Sequence, residues 1–250
     1  MQIIKKILNI NLYRNSNNSA ATVGMVKELI PYTVNNLYRK YFEEVFDFTD
    51  ATNYGLSRGS SGVVFNSLVS INGNPLRDIG IPNRTIDDIK KEGLNVTGYN
   101  ISFSPPIGNS KYTLCIVFHH WRNRKFNIKK NSNSGANLLH LYYNTIGNTV
   151  NLVVNNIKKQ FTMLNSFNGK KIVIWLTENL NSNITKVKIS NYNSILSLPI
   201  VRYTNEQEFV FTTQGGVLSK IMYSPNFYDT DSEQYHKVML QEKLSGSHIV

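Results

Sequence analysis

The stretch Lys170–Ser190 constrains the fold more than any other. Residues 172–176 are continuously apolar (Ile-Val-Ile-Trp-Leu), whereas Ile184, Val187 and Ile189 fall among Thr185, Lys186 and Lys188 in near alternation. The continuous run suits a strand covered on both faces, and alternation suits a strand covered on one. Between them Asn179–Asn183 supplies a polar turn. The stretch reads as a β-hairpin in the wall of an antiparallel sandwich. A short buried helix over 170–177 is the competing reading, disfavoured by the β-branched residues and the Asn-rich turn.

The same grammar recurs along the chain. Tyr112–Trp121 is apolar on both faces and marks a central strand. Strand character also runs through Leu94–Phe103, Leu138–Tyr143, Thr149–Val154, Ile157–Met163, Ile195–Ile200, Phe209–Thr212 and Val217–Tyr223, with Asn, Gly and Ser turns between. Short strands at this spacing define an all-β sandwich or barrel. With 250 residues and 41% hydrophobic content the chain can bury one large core. No linker divides the strands, so residues 42–250 are expected to form one antiparallel jelly-roll β-sandwich. It ends in a short helix that begins after Asp231 and runs to Leu244.

Residues 1–41 are expected to be an N-terminal arm. Leu37, Tyr41 and Val45 form one helical row and Tyr38, Phe42 and Phe46 another. This segment either docks on its own sandwich or oligomerises as a short stalk, unless Tyr41–Phe48 is already an extended first strand. Lys5 and Lys6 interrupt the apolar opening, which reads as neither a signal peptide nor a membrane span. Cytosolic synthesis without membrane insertion is the expectation.

The formal net charge is +11, and its location is informative. Between Lys111 and Lys188 stand twelve Lys and Arg residues against Glu178 alone, which accounts for the whole excess. A field gathered on one set of strands attracts acidic partners: sulfated or sialylated glycans, nucleic acid, or an acidic protein surface. Alternatively, the lysines only solvate outer faces and protect strand edges. The densest patch, Arg122, Arg124, Lys125, Lys129 and Lys130, directly follows Trp121.

Other chemistry is thinly represented. The single cysteine, Cys115, lies in an apolar run, and a small buried side chain is its expected role. Adjacent His119 and His120 face opposite sides of a strand and cannot easily share a metal. Asp87 and Asp88 lack the spacing of a calcium loop. No cofactor and no metal site is expected.

Three stretches resemble the concanavalin A-like, laminin-G-like jelly-roll superfamily. Gly93–Phe103 followed by Lys111-Tyr112-Thr113-Leu114 is similar to the strand leading into that family's central strand. The Gly169–Ile189 hairpin is similar to its paired "G-x-W" and "N-G" strands. Gly216–Tyr223 with Asp231-Ser232-Glu233 resembles its closing signature. The resemblance spans residues 93–244, and Val117 stands where the family carries an early Trp. It implies a concanavalin A-like sandwich and a lectin or adhesion role. Glycanases on this scaffold carry Glu-x-Asp-x-x-Glu along one strand, aiming carboxylates into one cleft. No such triplet occurs here, so an enzyme is not expected.

These readings point to a non-catalytic module that binds an acidic glycan or a cell-surface receptor, such as the head of an oligomeric viral surface fibre, with a trimer favoured. Trp121, Arg122, Arg124, Lys125 and Tyr143 are the candidate ligand residues, combining an aromatic face for sugar C–H groups with polar donors. The second reading is a structural capsid or matrix protein whose basic surface faces nucleic acid.

Overall fold

The computed structural model describes residues 37–50, 54–59, 62–70, 75–79, 84–85, 89–95, 100–103, 110–119, 125–130, 137–144, 149–154, 157–162, 171–190, 196–199, 209–213 and 216–244. The chain divides into two compact units, residues 1–38 and 39–250. The proposed arm and the Asp87–Asp88 pair lie largely outside the described residues.

The larger unit contains two antiparallel sheets, with strands numbered in chain order. The first runs β16 (Leu196–Pro199), β15 (Ile184–Ile189), β14 (Ile172–Asn179), β9 (Lys111–His119), β18 (Val217–Ser224), β7 (Gly93–Asn95) and β6 (Ile89–Lys90). Here β1 (Glu44–Asp47) also pairs with β18, lying beside Lys220–Tyr223, while β7 takes Val217–Leu218. The second sheet runs β13 (Ile157–Thr162), β12 (Thr149–Val154), β11 (Asn137–Asn144), β10 (Lys125–Lys130), β17 (Phe209–Thr213), β8 (Asn100–Phe103), β4 (Pro75–Ile79), β3 (Gly62–Val69) and β2 (Tyr54–Gly59). A two-residue strand, β5 (Arg84–Thr85), pairs with β3. This is an all-β sandwich. The hairpin read from the sequence is β14–β15, in register from Ile174↔Ile189 to Asn179↔Ile184.

Aromatic rings join the layers. Phe209 of β17 packs edge-on against Tyr112 of β9 at 5.2 Å between centroids and lies 6.2 Å from Tyr223 of β18. The inner face of the first sheet thus carries Tyr112, Leu114, Ile116 and Phe118, with Ile172, Ile174 and Leu176 beside them in register.

The opposite face is also covered. Helix α1 (Glu233–Leu244) buries Tyr235, Val238, Met239 and Glu242, one stripe at three- and four-residue spacing. Ser232 caps it, its Oγ accepting from the Tyr235 N–H at 3.2 Å. The Trp175 ring lies edge-on to Tyr235 at 5.4 Å and to Phe42 at 5.9 Å. Its indole N–H donates to the Tyr228 carbonyl at 3.0 Å. Two-sided burial explains why β9 and β14 are apolar on both faces. By contrast β15 alternates between half-buried and buried residues because its outer positions, Ile184, Lys186 and Lys188, are only half covered.

Two expectations change. The helical rows stop early: residues 37–41 are helical, but Glu44–Asp47 are extended. Val45 and Phe46 are buried on the sandwich as strand residues, because the exposed edge of β18 offers them a backbone ladder. Leu94–Phe103 is two strands in different sheets, not one: β7 pairs with β18 in the first sheet and β8 with β17 and β4 in the second.

Gly93 closes the tight turn between β6 and β7, where it pairs with Lys90. Its φ is +135°, and a Cβ there would sit 2.2 Å from the Leu218 carbonyl oxygen. Gly93→Ala is expected to cost about 2–4 kcal/mol in urea unfolding. An unchanged midpoint would contradict the close approach of β7 to β18.

Candidate functional site

Parity along the strands sorts the second sheet into two faces. Phe209 and Phe211 are buried and share the inner face with the positions in register with them, Lys130 and Ile128 of β10. The inner rows continue as Ile128↔Leu139↔Val154, Phe126↔Leu141↔Leu152 and Tyr143↔Val150↔Phe161. The outer rows read Asn127↔His140↔Val153↔Lys158 and Lys125↔Tyr142↔Asn151↔Gln160. Across β17 and β8 the outer face continues as Asn127↔Thr212↔Asn100 and Lys129↔Val210↔Ser102.

The outer face therefore carries amide, hydroxyl, imidazole and ammonium groups in its residue types. Strands β8, β10, β11, β12, β13 and β17 contain no Asp or Glu at all. Such a face can donate and accept hydrogen bonds and attract anions, but it brings no carboxylate pair for glycoside hydrolysis.

Of the residues singled out in the sequence, Lys125 opens β10 and Tyr143 lies near the end of β11. They are neighbours on adjacent strands but on opposite faces, because Lys125 is in register with Tyr142. Trp121, Arg122 and Arg124 lie outside the described residues. Sequence reasoning missed Asn127, His140, Tyr142 and Asn151, whose common signal is the period-two alternation of β10–β12 once inward parity is known.

The first sheet uses its cations differently. Fully buried Glu242 of α1 accepts from Lys171 at 2.8 Å and pairs with Lys220 at 3.2 Å. Lys171 also reaches the Glu242 backbone carbonyl at 3.2 Å. Lys186 pairs with Asp229 at 2.5 Å. The Lys188 ammonium sits 4.4 Å from the centre of the Tyr235 ring and donates to the Thr230 carbonyl at 3.4 Å. Three cations of the basic stretch, Lys171, Lys186 and Lys188, are thus matched by the chain's own C-terminal segment, which interrupts the expected continuous cationic wall on the first sheet. Glu178, the stretch's only acid, is buried on the inner side and accepts from Thr185 at 3.0 Å.

Burial and charge shift the groups beneath α1. Burial pulls the Lys220 ammonium down, but Glu242 and then Asp47 outweigh it and leave the value raised. Burial pushes the Tyr235 phenol up to about 12, and its hydroxyl donates to the Ser190 carbonyl at 2.6 Å. Burial likewise raises the Cys115 thiol well above its usual value, which leaves it protonated and inert. Burial opposes ionisation of Asp229, yet hydrogen bonds from Lys186 and Thr230 hold its carboxyl below the ordinary range. Among the described residues, no group of three His, Cys, Asp or Glu is placed to hold a metal, and no helix is long and apolar enough to cross a membrane.

Comparisons with known proteins bear on the fold. No protein-family model matches the chain, and no curated protein sequence matches it. Among solved structures, Trypanosoma rangeli sialidase is similar at TM-score 0.55 and 10% identity, over 93% of this chain and 42% of the sialidase. The chain thus spans less than half of that enzyme. Sheep galectin-11 in complex with glycerol matches at TM-score 0.36 and 12% identity, over 51% of this chain and 98% of the galectin. Toad ovary galectin in complex with thio-digalactose matches at TM-score 0.37 and 12% identity, over 50% and 98%. At such identities the likeness is one of fold. The protein is an antiparallel β-sandwich.

Two outcomes follow for the α1 interface. Glu242→Gln removes the counter-charge shared by two buried ammonium groups and is expected to cost about 3–5 kcal/mol in chemical denaturation. Joint replacement by Lys171→Met, Lys220→Met and Glu242→Leu should return stability to within about 2 kcal/mol of the parent. A Glu242→Gln loss below about 1 kcal/mol would contradict the clamp.

Raised values for Lys220, Tyr235 and Cys115 mean that the folded state holds these protons more tightly than the unfolded chain. Their contribution is complete below the unfolded values and is lost as pH rises, for Tyr235 between its ordinary value of 10.0 and about 12. Unfolding free energy should therefore fall above about pH 9, and Tyr235→Phe should flatten the part of that fall between about pH 10 and 12. An unaltered alkaline profile in the variant would contradict the assignment.

Proposed function

We propose that the protein is a non-catalytic module that binds acidic glycans on the outer face of its second sheet. One observation carries this reading: six neighbouring strands present hydrogen-bonding and cationic residue types and contain no carboxylate. Glycan recognition needs many directional donors and acceptors, an aromatic surface for sugar C–H groups and, for acidic sugars, cations. Tyr142 and His140 supply the aromatic types on that face, and Lys125 opens it. Trp121, Arg122 and Arg124, which precede β10 in the chain, are assigned to the same site. In this reading the module is the head of an oligomeric surface fibre and residues 1–41 are its oligomerising arm.

A panel of neutral, sialylated and sulfated glycans tests the proposal. Acidic members should bind, and joint reversal of Arg122, Arg124 and Lys125 to Glu should weaken them at least about tenfold. A folded variant with unchanged affinity, or no glycan binding at all, would remove the reading. Solution mass before and after deletion of residues 1–36 tests the arm; an identical oligomer in both would exclude it.

A further inference from the structure

We infer that the outer face of the second sheet is built for an extended polyanionic glycan, a chain carrying sulfate or carboxylate on successive units, and not for a compact sugar with one charge. This rests on the glycan-binding reading above and goes beyond it by naming the ligand class.

Spacing is the argument. Among the described strands the outer-face cations are Lys125, Lys129, Lys158 and Arg77. Lys125 and Lys129 lie four positions apart on β10, about 13 Å at ~3.3 Å per residue. The β11 partner of that strand carries a bulge opposite Ile128/Lys129, but pairing with β17 stays regular through Lys130, so both lysines keep one face. Arg77 reaches the Lys129 row through Ser102 and Val210, three strand steps or about 14 Å away. Lys158 reaches the Asn127 row through Val153 and His140, again three steps. From β4 to β13 the cations span six strand steps, about 29 Å.

At physiological salt the screening length is about 8 Å, shorter than every one of these gaps. A ligand with one charge therefore gains from one cation and scarcely feels the next. A chain with several charges collects them all. The uncharged positions between them, such as Asn127, Thr212 and Asn151, offer hydrogen-bonding types suited to the sugar hydroxyls of such a chain. Nucleic acid fits less well. Single strands require a series of stacking aromatics, and this face has Tyr142 and His140 alone among the described positions.

The test titrates the full chain with heparin, a monosialylated trisaccharide, a neutral trisaccharide and a single-stranded oligonucleotide at several salt concentrations. Heparin should bind most tightly, with affinity falling as salt rises. Lys125→Gln, Lys129→Gln and Lys158→Gln should each weaken heparin about three- to tenfold and lower the slope of log affinity against log salt by roughly one. Lys111→Gln, an exposed position on the other sheet, should change neither. Thermal midpoints confirm that the variants fold. If the monosialylated or neutral sugar binds as tightly as heparin through these residues, the polyanion inference fails while the glycan-binding reading stands. Tighter binding of the oligonucleotide overturns the inference in favour of nucleic acid. Absence of binding to every sugar removes both.

Discussion

The structure depends on the first sheet being covered twice. Its inner face meets the second sheet through Tyr112, Tyr223 and Phe209, and its outer face meets the C-terminal segment around Trp175. Fully burying a side chain of this size contributes on the order of 1.5–3 kcal/mol, but only if its polar atom is satisfied. The Tyr228 carbonyl satisfies the indole N–H and thereby fixes where the chain must pass between β18 and α1. Thr113 fixes the same passage, its hydroxyl donating to the Asn226 carbonyl at 2.7 Å and accepting from the Tyr228 N–H at 2.9 Å. Hydrophobic burial drives the cover onto the sheet, and a few hydrogen bonds set its register.

The charge pattern shows how far a linear count is from a field. Twelve cations and one acid occupy Lys111–Lys188, yet Glu242 and Asp229 arrive from elsewhere in the chain to meet two of those cations, Lys171 and Lys186. Other cations of the stretch, Lys125, Lys129, Lys130, Lys158 and Lys159, belong to strands of the second sheet. There the six neighbouring strands from β13 to β8 hold no acid, and in the proposed reading the spacing between cations selects the ligand.

Much of the fold was legible because local pattern and burial agreed. The apolar run of β14, the Asn-rich turn and the alternation of β15 each have one cheap structural solution, and Ser232 marked the start of α1. The errors arose where tertiary context chose between two locally acceptable conformations. Tyr41–Phe46 satisfies a helical period, but the open edge of β18 rewards an extended Glu44–Asp47. Leu94–Phe103 satisfies one long strand, yet its two ends pair in different sheets. In β11, Leu138, Leu139 and Leu141 leave parity ambiguous, so Tyr142 and Tyr143 could not be told apart until the buried Phe211 row fixed the inner side. The Lys171–Glu242–Lys220 cluster joins residues more than seventy positions apart at its widest and had no local signature.

The pairing of β1 with β18 brings residues 44–47 beside residues 220–223. During synthesis the first of these emerges long before its partner exists, and β9 likewise waits for both β14 and β18. Such distant pairings place the domain among slow folders, in the millisecond-to-second range once the whole chain is free of the ribosome. Until then the apolar strand β9 has no neighbour to hide against, which leaves the nascent chain open to aggregation.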